Sequence, residues 1–429
     1  MDGVSMVSPV GMSASTCGYC GPPGERSADK GSVSYGIWAH QLTPQAYQDL
    51  IDRGWRRSGS YCYHPDNSRT CCPQHPIRLK ASSFKASRSQ RRALAAFRTA
   101  IDAEPASSSP SGSSSKYSQP FDVVKAWQDI ESEPVTSTSQ DAKATHLERG
   151  RIALEWRRAR KAGRADVPVA PTLPHVHPGK RSARLQVTLV PGRATKENFA
   201  LFTRYQMGVH RESEDKVTRK GFERFLCQSP IQASRRNLVV PANEKILGLQ
   251  HHEYRLDGQL IAVGVLDILP HCVSSVYLFY DPAFAHLQLG KISALREIAL
   301  VEQLRQQQPS LEWYYMGYYI PSCQKMAYKA EFAPSQVLDT RTNAWHSHAD
   351  FLAARSVAPQ LERLPLPSSY DGDDEDIPWP SPPPLGFLEP QSIEPAGTLV
   401  MRAGQAPADC DIREVLAALR SREGFVIVL

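Results

Sequence analysis

The 429 residues, 41% of them hydrophobic, are enough for about two or three domains with full-sized cores. The formal net charge is +6, and neither a basic, apolar leader nor a run of about 18 apolar residues occurs. We therefore expect a cytoplasmic protein, with the nucleus as a further compartment and no membrane partner. Nine cysteines without such a leader favour reduced, metal-binding thiols over a disulfide framework.

Two tight cysteine pairs stand near the N-terminus, Cys17 with Cys20 and Cys71 with Cys72. Two thiolates in a short glycine-containing turn can bind one metal ion, and a second pair completes a tetrahedral shell. We predict Zn²⁺ or an iron–sulfur cluster here, because thiolates alone do not distinguish the two. The alternative is that these cysteines are small buried hydrophobic residues. Three residues of the same segment could replace one ligand: Cys62, His64 and His75.

Residues 53–98 are strongly basic, with Asp66 as their one acid. A basic stretch interleaved with aromatic residues is typical of contacts to nucleic acid phosphates, which favours an RNA partner. The alternative is a solvated helix face, because 85–103 has the apolar spacing of an amphipathic helix, with Leu94, Phe97 and Ile101 on one side.

The amino-acid composition changes after residue 104. Residues 105–120 are rich in Ser, Pro and Gly and favour a linker, whereas 142–164 are basic and predict a helix. Acidic residues and prolines at 369–390 exclude a packed helix or central strand. Beyond them, 411–429 predict a helix and then an apolar strand that returns to a sheet.

Residues 184–340 alternate between strand and helix patterns. In chain order we predict a strand at 184–191, a helix at 194–210, a hairpin at 254–270 that turns at Asp257-Gly258, a strand at 275–282, a helix at 287–308, an aromatic strand at 313–323 and a short helix at 324–332.

This order resembles the acyltransferase fold called GNAT, in which the helix after the central strand faces the activated acyl donor. The predicted fold class is therefore α/β (α+β), a GNAT-like domain with a cysteine-rich, metal-binding N-terminal domain. Free N–H groups and the helix dipole near Gly290 would form an anion site. The alternative is that Gly290 only lets the helix pack closely on the strand.

Several long strings resemble eukaryotic arginyl-tRNA–protein transferases. They are GWRRSGSYCYHP, CCPQHPIRL and KASRSQRRAL within 15–100, and TRYQMGVH, YLFYDPAFAHLQLGKISALREIAL and YYMGYYIPSCQKMAYKAEFAPSQVL within 184–345. The resemblance implies transfer of arginine from Arg-tRNA to the N-terminal amine of proteins that begin with Asp, Glu or oxidised Cys, which marks them for ubiquitin-dependent N-degron degradation. It also implies that Cys17, Cys20, Cys71 and Cys72 bind a metal or an iron–sulfur cluster, with no nucleotide cofactor.

Together with this resemblance, the composition predicts four regions in the chain. They are a cysteine-rich domain for metal and acceptor recognition at 1–104, an insertion at 105–183, a GNAT-like aminoacyl-transfer domain at 184–368, and an acidic, proline-rich linker with a helix and strand at 369–429. The insertion and the tail match nothing in the family, and we infer no function for them.

A tRNA ester is already activated, so positioning should dominate catalysis and no covalent intermediate is needed. We therefore expect Cys323 and His286 to be structural. The acceptor amine, with a pKa of about 7.7–8.0, needs only a weak base or a water chain.

Charge complementarity then selects site residues. For the acceptor's acidic side chain we predict Arg56, Arg57 and Arg78. For the arginyl group and the catalytic corner we predict Asp281 and Glu297, with Tyr280 and Gly290. For the tRNA phosphates we predict Lys85, Arg88, Arg91, Arg92, Lys325 and Lys329. For stacking on the terminal adenosine we predict the aromatic strand, with Tyr315 and Tyr318 as its substrate-binding residues.

Each acid has a structural alternative, a strand-end turn before Pro282 for Asp281 and a solvated helix position for Glu297. Two other functions remain open. An acetyltransferase of the same fold would need a loop richer in glycine than LQLGKIS. A metal-stabilised RNA-binding module would bind tRNA without catalysis.

Overall fold

The computed structural model describes residues 4–21, 25–102, 121–131, 185–232, 246–340, 342–357, 400–401, 409–419 and 425–428. The predicted linker at 105–120, the basic helix at 142–164 and the acidic stretch at 369–390 lie outside these residues. Within them no helix is long and apolar enough to cross a membrane.

The described strands form two sheets, which are covered by helices, so the predicted mixed α/β class is confirmed. The strands are β1 (Ser5–Ser15), β2 (Ser32–Gln41), β3 (Arg56–Ser58), β4 (Tyr61–Pro65), β5 (His75–Lys80), β6 (Leu185–Pro191), β7 (Gly248–Leu256), β8 (Gln259–Ile268), β9 (Cys272–Tyr280), β10 (Trp313–Tyr319), β11 (Ser335–Asp339), β12 (Ala344–Ser347), β13 (Val400–Met401) and β14 (Phe425–Val428). The α-helices are α1 (Pro44–Asp52), α2 (Arg88–Asp102), α3 (Val123–Ile130), α4 (Lys196–Val209), α5 (Arg219–Phe222), α6 (Leu289–Arg305), α7 (Gln324–Ala327), α8 (His348–Val357) and α9 (Asp409–Leu419).

The N-terminal sheet has the order β13-β14-β1-β2-β4-β3. Strand β14, the last in the chain, lies parallel to β1, while β1, β2, β4 and β3 pair antiparallel. The prediction that the C-terminal residues form a helix and a strand that returns to a sheet is therefore confirmed. Helix α1 begins where the Thr43 hydroxyl accepts a hydrogen bond from the Ala46 N–H, an N-cap that satisfies an otherwise free donor.

The large sheet has the order β12-β11-β5-β10-β9-β8-β7-β6. Its strands from β6 to β10, with helices α4, α6 and α7, occur in the predicted order. The hairpin of β7 and β8 turns at Asp257 and Gly258, which both have positive φ angles, as an Asp-Gly turn requires.

Strand β5 comes from the cysteine-rich segment but lies between β11 and β10 of the large sheet. Helix α2 follows it and buries Leu94, Phe97 and Ile101 in the core of that sheet, which confirms the predicted amphipathic helix. The first 102 residues therefore contribute to both sheets, and the predicted division at residue 104 stays a prediction.

Candidate active site and cysteine centre

The two central strands of the large sheet separate partway along their length. Parallel strands β9 and β10 pair at three positions, from Trp313 opposite Cys272 to Tyr315 opposite Ser274. An irregularity follows in β10, where Gly317 has a φ of 75° that favours glycine. Beyond this point β10 continues beside β5, so a gap opens between β9 and β10.

A cavity of about 1250 Å³ lies at this gap. One wall comes from the large sheet, with residues 274–278 of β9, Tyr314 and residues 316–318 of β10, and the start of α6. The opposite wall includes Gly18, Tyr19, Arg56 and Tyr63 from the N-terminal region. Since ligand pockets usually occupy about 300–1,000 Å³, this cavity has room for parts of two substrates.

The start of α6 borders the cavity at Gly290 and Ser293. A methyl group added at Gly290 would meet only the Leu278 side chain, at 4.0 Å, so packing does not require a glycine here. The Lys291 and Ile292 N–H groups donate to the Gln288 carbonyl oxygen, so the N–H groups of Leu289 and Gly290 are the ones that the positive end of the helix dipole can offer. This end of α6 can therefore bind a negatively polarised oxygen atom.

Arg56 is a buried cation at the cavity, 6% exposed. Its Nη1 donates to the carbonyl oxygen of Trp55 at 2.6 Å, and its guanidinium lies 5.3 Å from the centre of the Tyr318 ring. Its Nε and Nη2 are buried and lack a hydrogen-bond partner among the residues that the structure describes. Buried charged donors are normally satisfied, so this guanidinium edge suits an anionic ligand.

Arg57 and Arg78, predicted for the same role, have their guanidinium groups engaged by protein groups. Arg57 borders the cavity but forms a two-point ion pair with Asp267, at 2.8 and 2.5 Å, and both side chains are at most 1% exposed. The Arg78 guanidinium lies between the rings of Trp313 and Trp345, 3.9 and 4.1 Å from their centres. Arg57 joins the two sheets, and Arg78 fixes three aromatic side chains, since it also donates to the Tyr315 hydroxyl.

The predicted acids lie behind the cavity wall. Asp281 caps the short 3₁₀ helix Pro282–Leu287 and pairs with Arg204 at 2.9 Å, so its structural alternative describes its contacts. Glu297 is 1% exposed and accepts a hydrogen bond from the Tyr314 hydroxyl at 2.6 Å, so the alternative of a solvated helix position is wrong. Burial raises the pKa of Glu297 to about 7.

The predicted aromatic residues divide between the core and the cavity. Tyr315 is fully buried, and its hydroxyl donates to Asp52. Tyr318 borders the cavity, and its hydroxyl donates to the Gly54 carbonyl oxygen at 2.9 Å. Tyr280 is half-buried and packs against the Tyr205 ring. The alternation along β10 therefore leaves only some of its aromatic faces toward a ligand.

The predicted tRNA-binding residues form two groups. Lys85, Arg88 and Arg92 are exposed at the start of α2, beside Arg91, whose guanidinium lies 5.4 Å from the centre of the Phe121 ring. Lys325 and Lys329 border the cavity itself, Lys325 exposed and Lys329 half-buried.

The four predicted metal-binding cysteines come together. The sulfur atoms of Cys17, Cys20, Cys71 and Cys72 all lie within 4.8 Å of one another, an arrangement that can bind a metal. The Cys71 N–H donates to the carbonyl oxygen of Gly31, which lies in the segment between the first pair and β2. The cluster packs on Ile320 and Met326, next to the cavity wall.

The three possible substitute ligands are engaged elsewhere in the described structure. Cys62 is fully buried in the core of the N-terminal sheet, and both ring nitrogens of His64 lie about 3.0 Å from main-chain carbonyl oxygens. The His75 ring packs against Phe351.

Some residues of the site were not predicted from the sequence. Asp267 stands 210 positions from Arg57, and no pattern in the sequence pairs them. Tyr19 and Tyr63 border the cavity, and their position beside the cysteine motif was a signal that could have included them. The lowered pKa of Lys329 has no sequence signal, because it depends on burial and on Arg56, which is far away along the chain.

Two family models match this chain. One, described as the N terminus of arginine-tRNA-protein transferase, matches residues 15–92, and one described as the C terminus matches residues 197–339. The cysteine cluster and both walls of the cavity include residues from these two matched segments.

Named relatives agree with these models. Arginyl-tRNA–protein transferase 1 of Drosophila melanogaster is 31% identical, with 84% of this chain and 86% of that protein covered. Arginyl-tRNA–protein transferase 1 of Arabidopsis thaliana is also 31% identical, with 84% and 75% covered. An aspartate/glutamate leucyltransferase of Pseudomonas fluorescens is 36% identical over 41% of this chain and 67% of that protein.

Proposed function

This chain belongs to the arginyl-tRNA–protein transferase family, and we propose that its cavity holds the arginyl ester of the tRNA beside an acidic N-terminal residue of the acceptor protein. The enzyme transfers arginine from Arg-tRNA to proteins. This activity argues against both alternatives, an acetyltransferase and a module that binds RNA without catalysis.

The donor ester lies against the large-sheet wall. The gap between β9 and β10, with the start of α6 beside it, supports a GNAT-like arrangement. In it, N–H groups near Gly290 polarise the ester carbonyl and stabilise the oxyanion that forms on attack. Glu297 acts on the donor through Tyr314, whose hydroxyl it orients at the cavity wall.

The acceptor's acidic side chain pairs with Arg56. The observation that carries this assignment is that Arg56 borders the cavity and that its buried Nε and Nη2 have no partner among the described residues. Carboxylates of Asp and Glu and the acid of oxidised Cys all accept a planar two-point contact from a guanidinium. The product is a protein with an added N-terminal arginine, marked for the N-degron pathway. The predicted cytoplasmic and nuclear location stays a prediction.

The basic start of α2 contacts tRNA phosphates. Lys85, Arg88, Arg91 and Arg92 adjoin the start of α6 through Lys291, whose Nζ lies 3.3 Å from the Ser89 hydroxyl. A tRNA acceptor stem bound there would deliver its 3′ end to the cavity, with phosphate neutralisation providing affinity.

The four cysteines of the centre would hold one metal ion, with Zn²⁺ as our assignment. Zn–S bonds of about 2.3 Å give sulfur separations of about 3.8 Å, and Cys20 and Cys71 are 3.7 Å apart. A multi-iron cluster would hold its terminal sulfurs farther apart. A metal ion held by these thiolates would fix the Cys17–Cys20 turn, which carries Gly18 and Tyr19 of the cavity wall.

The test compares arginine transfer from Arg-tRNA to two peptides that differ only in an N-terminal Asp or Ala. We expect transfer to the Asp peptide, and we expect Arg56→Gln to lower kcat/KM for it by about 10- to 100-fold, the range for a hydrogen bond to a charged group. Arg-tRNA affinity should not change, because Arg56 faces the acceptor.

Two further variants control this experiment. Lys196→Gln removes one positive charge at an exposed position outside the cavity and should leave transfer unchanged. Arg56→Lys keeps the charge without the planar fork and should give an intermediate rate. Equal transfer by wild type and Arg56→Gln would contradict the Arg56 assignment, and equal transfer to both peptides by wild type would contradict the acidic specificity.

A further inference from the structure

The proposed reaction leaves one proton unaccounted for. An N-terminal amine with a pKa of about 7.7–8.0 is mostly protonated at neutral pH, and its nitrogen attacks an ester only after losing a proton. On the premise of the proposed function, one side chain at the cavity must accept that proton.

Most titratable groups at the cavity are unsuited to this task. The Tyr314 and Tyr318 hydroxyls are already donors, to Glu297 and Gly54, and burial raises the pKa of both. The Arg56 guanidinium has only hydrogen-bond donors and no acceptor. His210 borders the cavity, but its Nε2 lies 3.4 Å from the Tyr277 hydroxyl, on the part of the lining that continues into a second, smaller cavity.

Lys329 lies where the two central strands separate. Its Nζ donates to the Tyr318 carbonyl oxygen at 2.8 Å and approaches the Met326 sulfur at 3.6 Å. The same Nζ lies 3.7 Å from where a side chain on Gly317 would begin, so it sits at the gap in front of β10. Among the described residues, the Arg56 guanidinium lowers the pKa of Lys329 and the Cys323 thiol raises it.

We propose that Lys329 is a catalytic residue, whose neutral Nζ takes the proton from the acceptor's α-ammonium group. Its Nζ lies at the gap that would receive the ester, and Arg56 borders the same cavity, which suits this role. The hydrogen bond to the Tyr318 carbonyl oxygen orients Nζ at the cavity, where the lone pair of a neutral amine would accept the proton.

The electrostatic surroundings agree with the geometry. Burial, together with the nearby Arg56 guanidinium, lowers the pKa of Lys329 to about 7. A lysine in these surroundings is substantially neutral at physiological pH, and a base with a pKa near the working pH is the most effective one.

The step balances without a cofactor. Nζ accepts one proton, and the acceptor nitrogen forms a bond to the arginyl carbonyl carbon. The bond from that carbon to the ribose oxygen breaks, and this oxygen leaves as a hydroxyl with a second proton from the nitrogen. The Lys329 ammonium returns its proton to water before the next turnover.

The test measures single-turnover arginine transfer to the Asp peptide between roughly pH 6 and 9, around the amine pKa of about 7.7–8.0. In wild type we expect the rate to rise with a midpoint near 7. Lys329→Arg, which keeps the charge but stays protonated, should lower the plateau by about 100-fold or more, within the range for general base catalysis. Its midpoint should move up to that of the free amine.

Two comparisons separate a base from a cation that binds tRNA. Lys325→Met removes the neighbouring exposed cation and should change Arg-tRNA affinity without moving the midpoint. In Lys329→Ala, trimethylamine should restore part of the rate in a saturable manner, because a tertiary amine accepts a proton but forms no amide.

The outcomes are distinct. A Lys329→Arg enzyme with a wild-type plateau and midpoint would overturn the proposal, and so would a midpoint shift caused by His210→Gln alone. If wild type itself failed to prefer the Asp peptide, the proposed function would fail instead of this inference.

Discussion

The two walls of the cavity present different chemical groups to a ligand. The wall from the N-terminal region carries its charge on side chains held by long-range contacts, with Arg56 beside the buried Arg57–Asp267 pair and the cysteine centre. The wall from the large sheet offers mainly backbone groups and tyrosines, at a gap between strands and the start of a helix. The first wall suits a charged acceptor, and the second suits an ester whose charge develops during reaction.

Removal of the cysteine ligands should affect the first wall most strongly. We expect Cys71→Ser with Cys72→Ser to abolish metal binding, because two of four thiolates are lost, and to lower transfer to the Asp peptide at least about 100-fold. Metal content by mass spectrometry and the thermal unfolding midpoint would measure this. Binding free energies of structural Zn²⁺ reach about 10–16 kcal/mol in small peptides, so the loss of stability should be large.

Cys227→Ser is the matched control, since Cys227 is half-buried beside the aromatic cluster around Phe222 and lies outside the cysteine centre. A double cysteine variant that retained metal and activity would show that the centre does not support this wall.

The Arg57–Asp267 pair tests whether the two walls depend on each other. Arg57→Gln leaves a fully buried carboxylate without its partner, and breaking such a pair costs about 3–5 kcal/mol. Denaturant unfolding should show this loss, while the double variant Arg57→Met with Asp267→Leu should recover much of it. An Arg57→Gln protein as stable as wild type, but unable to use the Asp peptide, would instead assign Arg57 to the acceptor.

Gly290→Ala should have the smallest effect on folding. It tests the wall from the large sheet independently of the wall from the N-terminal region. The added methyl group meets only the Leu278 side chain at 4.0 Å, and Ala favours a helix over Gly by about 1 kcal/mol, so stability should stay the same or rise. Because the methyl group enters the proposed ester space, we expect about a 10-fold lower single-turnover rate with unchanged affinity for the Asp peptide. A loss of stability with normal transfer would favour the close-packing role for this glycine.

The elements of the large sheet were predictable because their signals are local. The Asp257-Gly258 turn, the alternating residues of β6 and the apolar face of α2 depend on neighbours within a few residues. The N-terminal sheet was less predictable, since β1 and β2 mix small and polar residues, and the placement of β5 in the large sheet depends on contacts with β10 and β11.

The sequence by itself determined the family, the four cysteines and the order of the central elements, because motifs and periodicity depend only on residues that are close together in the chain. Only the tertiary structure decided that Arg57 pairs with Asp267 while two Arg56 nitrogens have no partner among the described residues, that Glu297 is buried behind Tyr314, and that Arg56 acts on the pKa of Lys329. The reason is physical: whether a charge is paired, and what its pKa becomes, depends on burial and on partners distant along the chain, and these exist only once both sheets have packed.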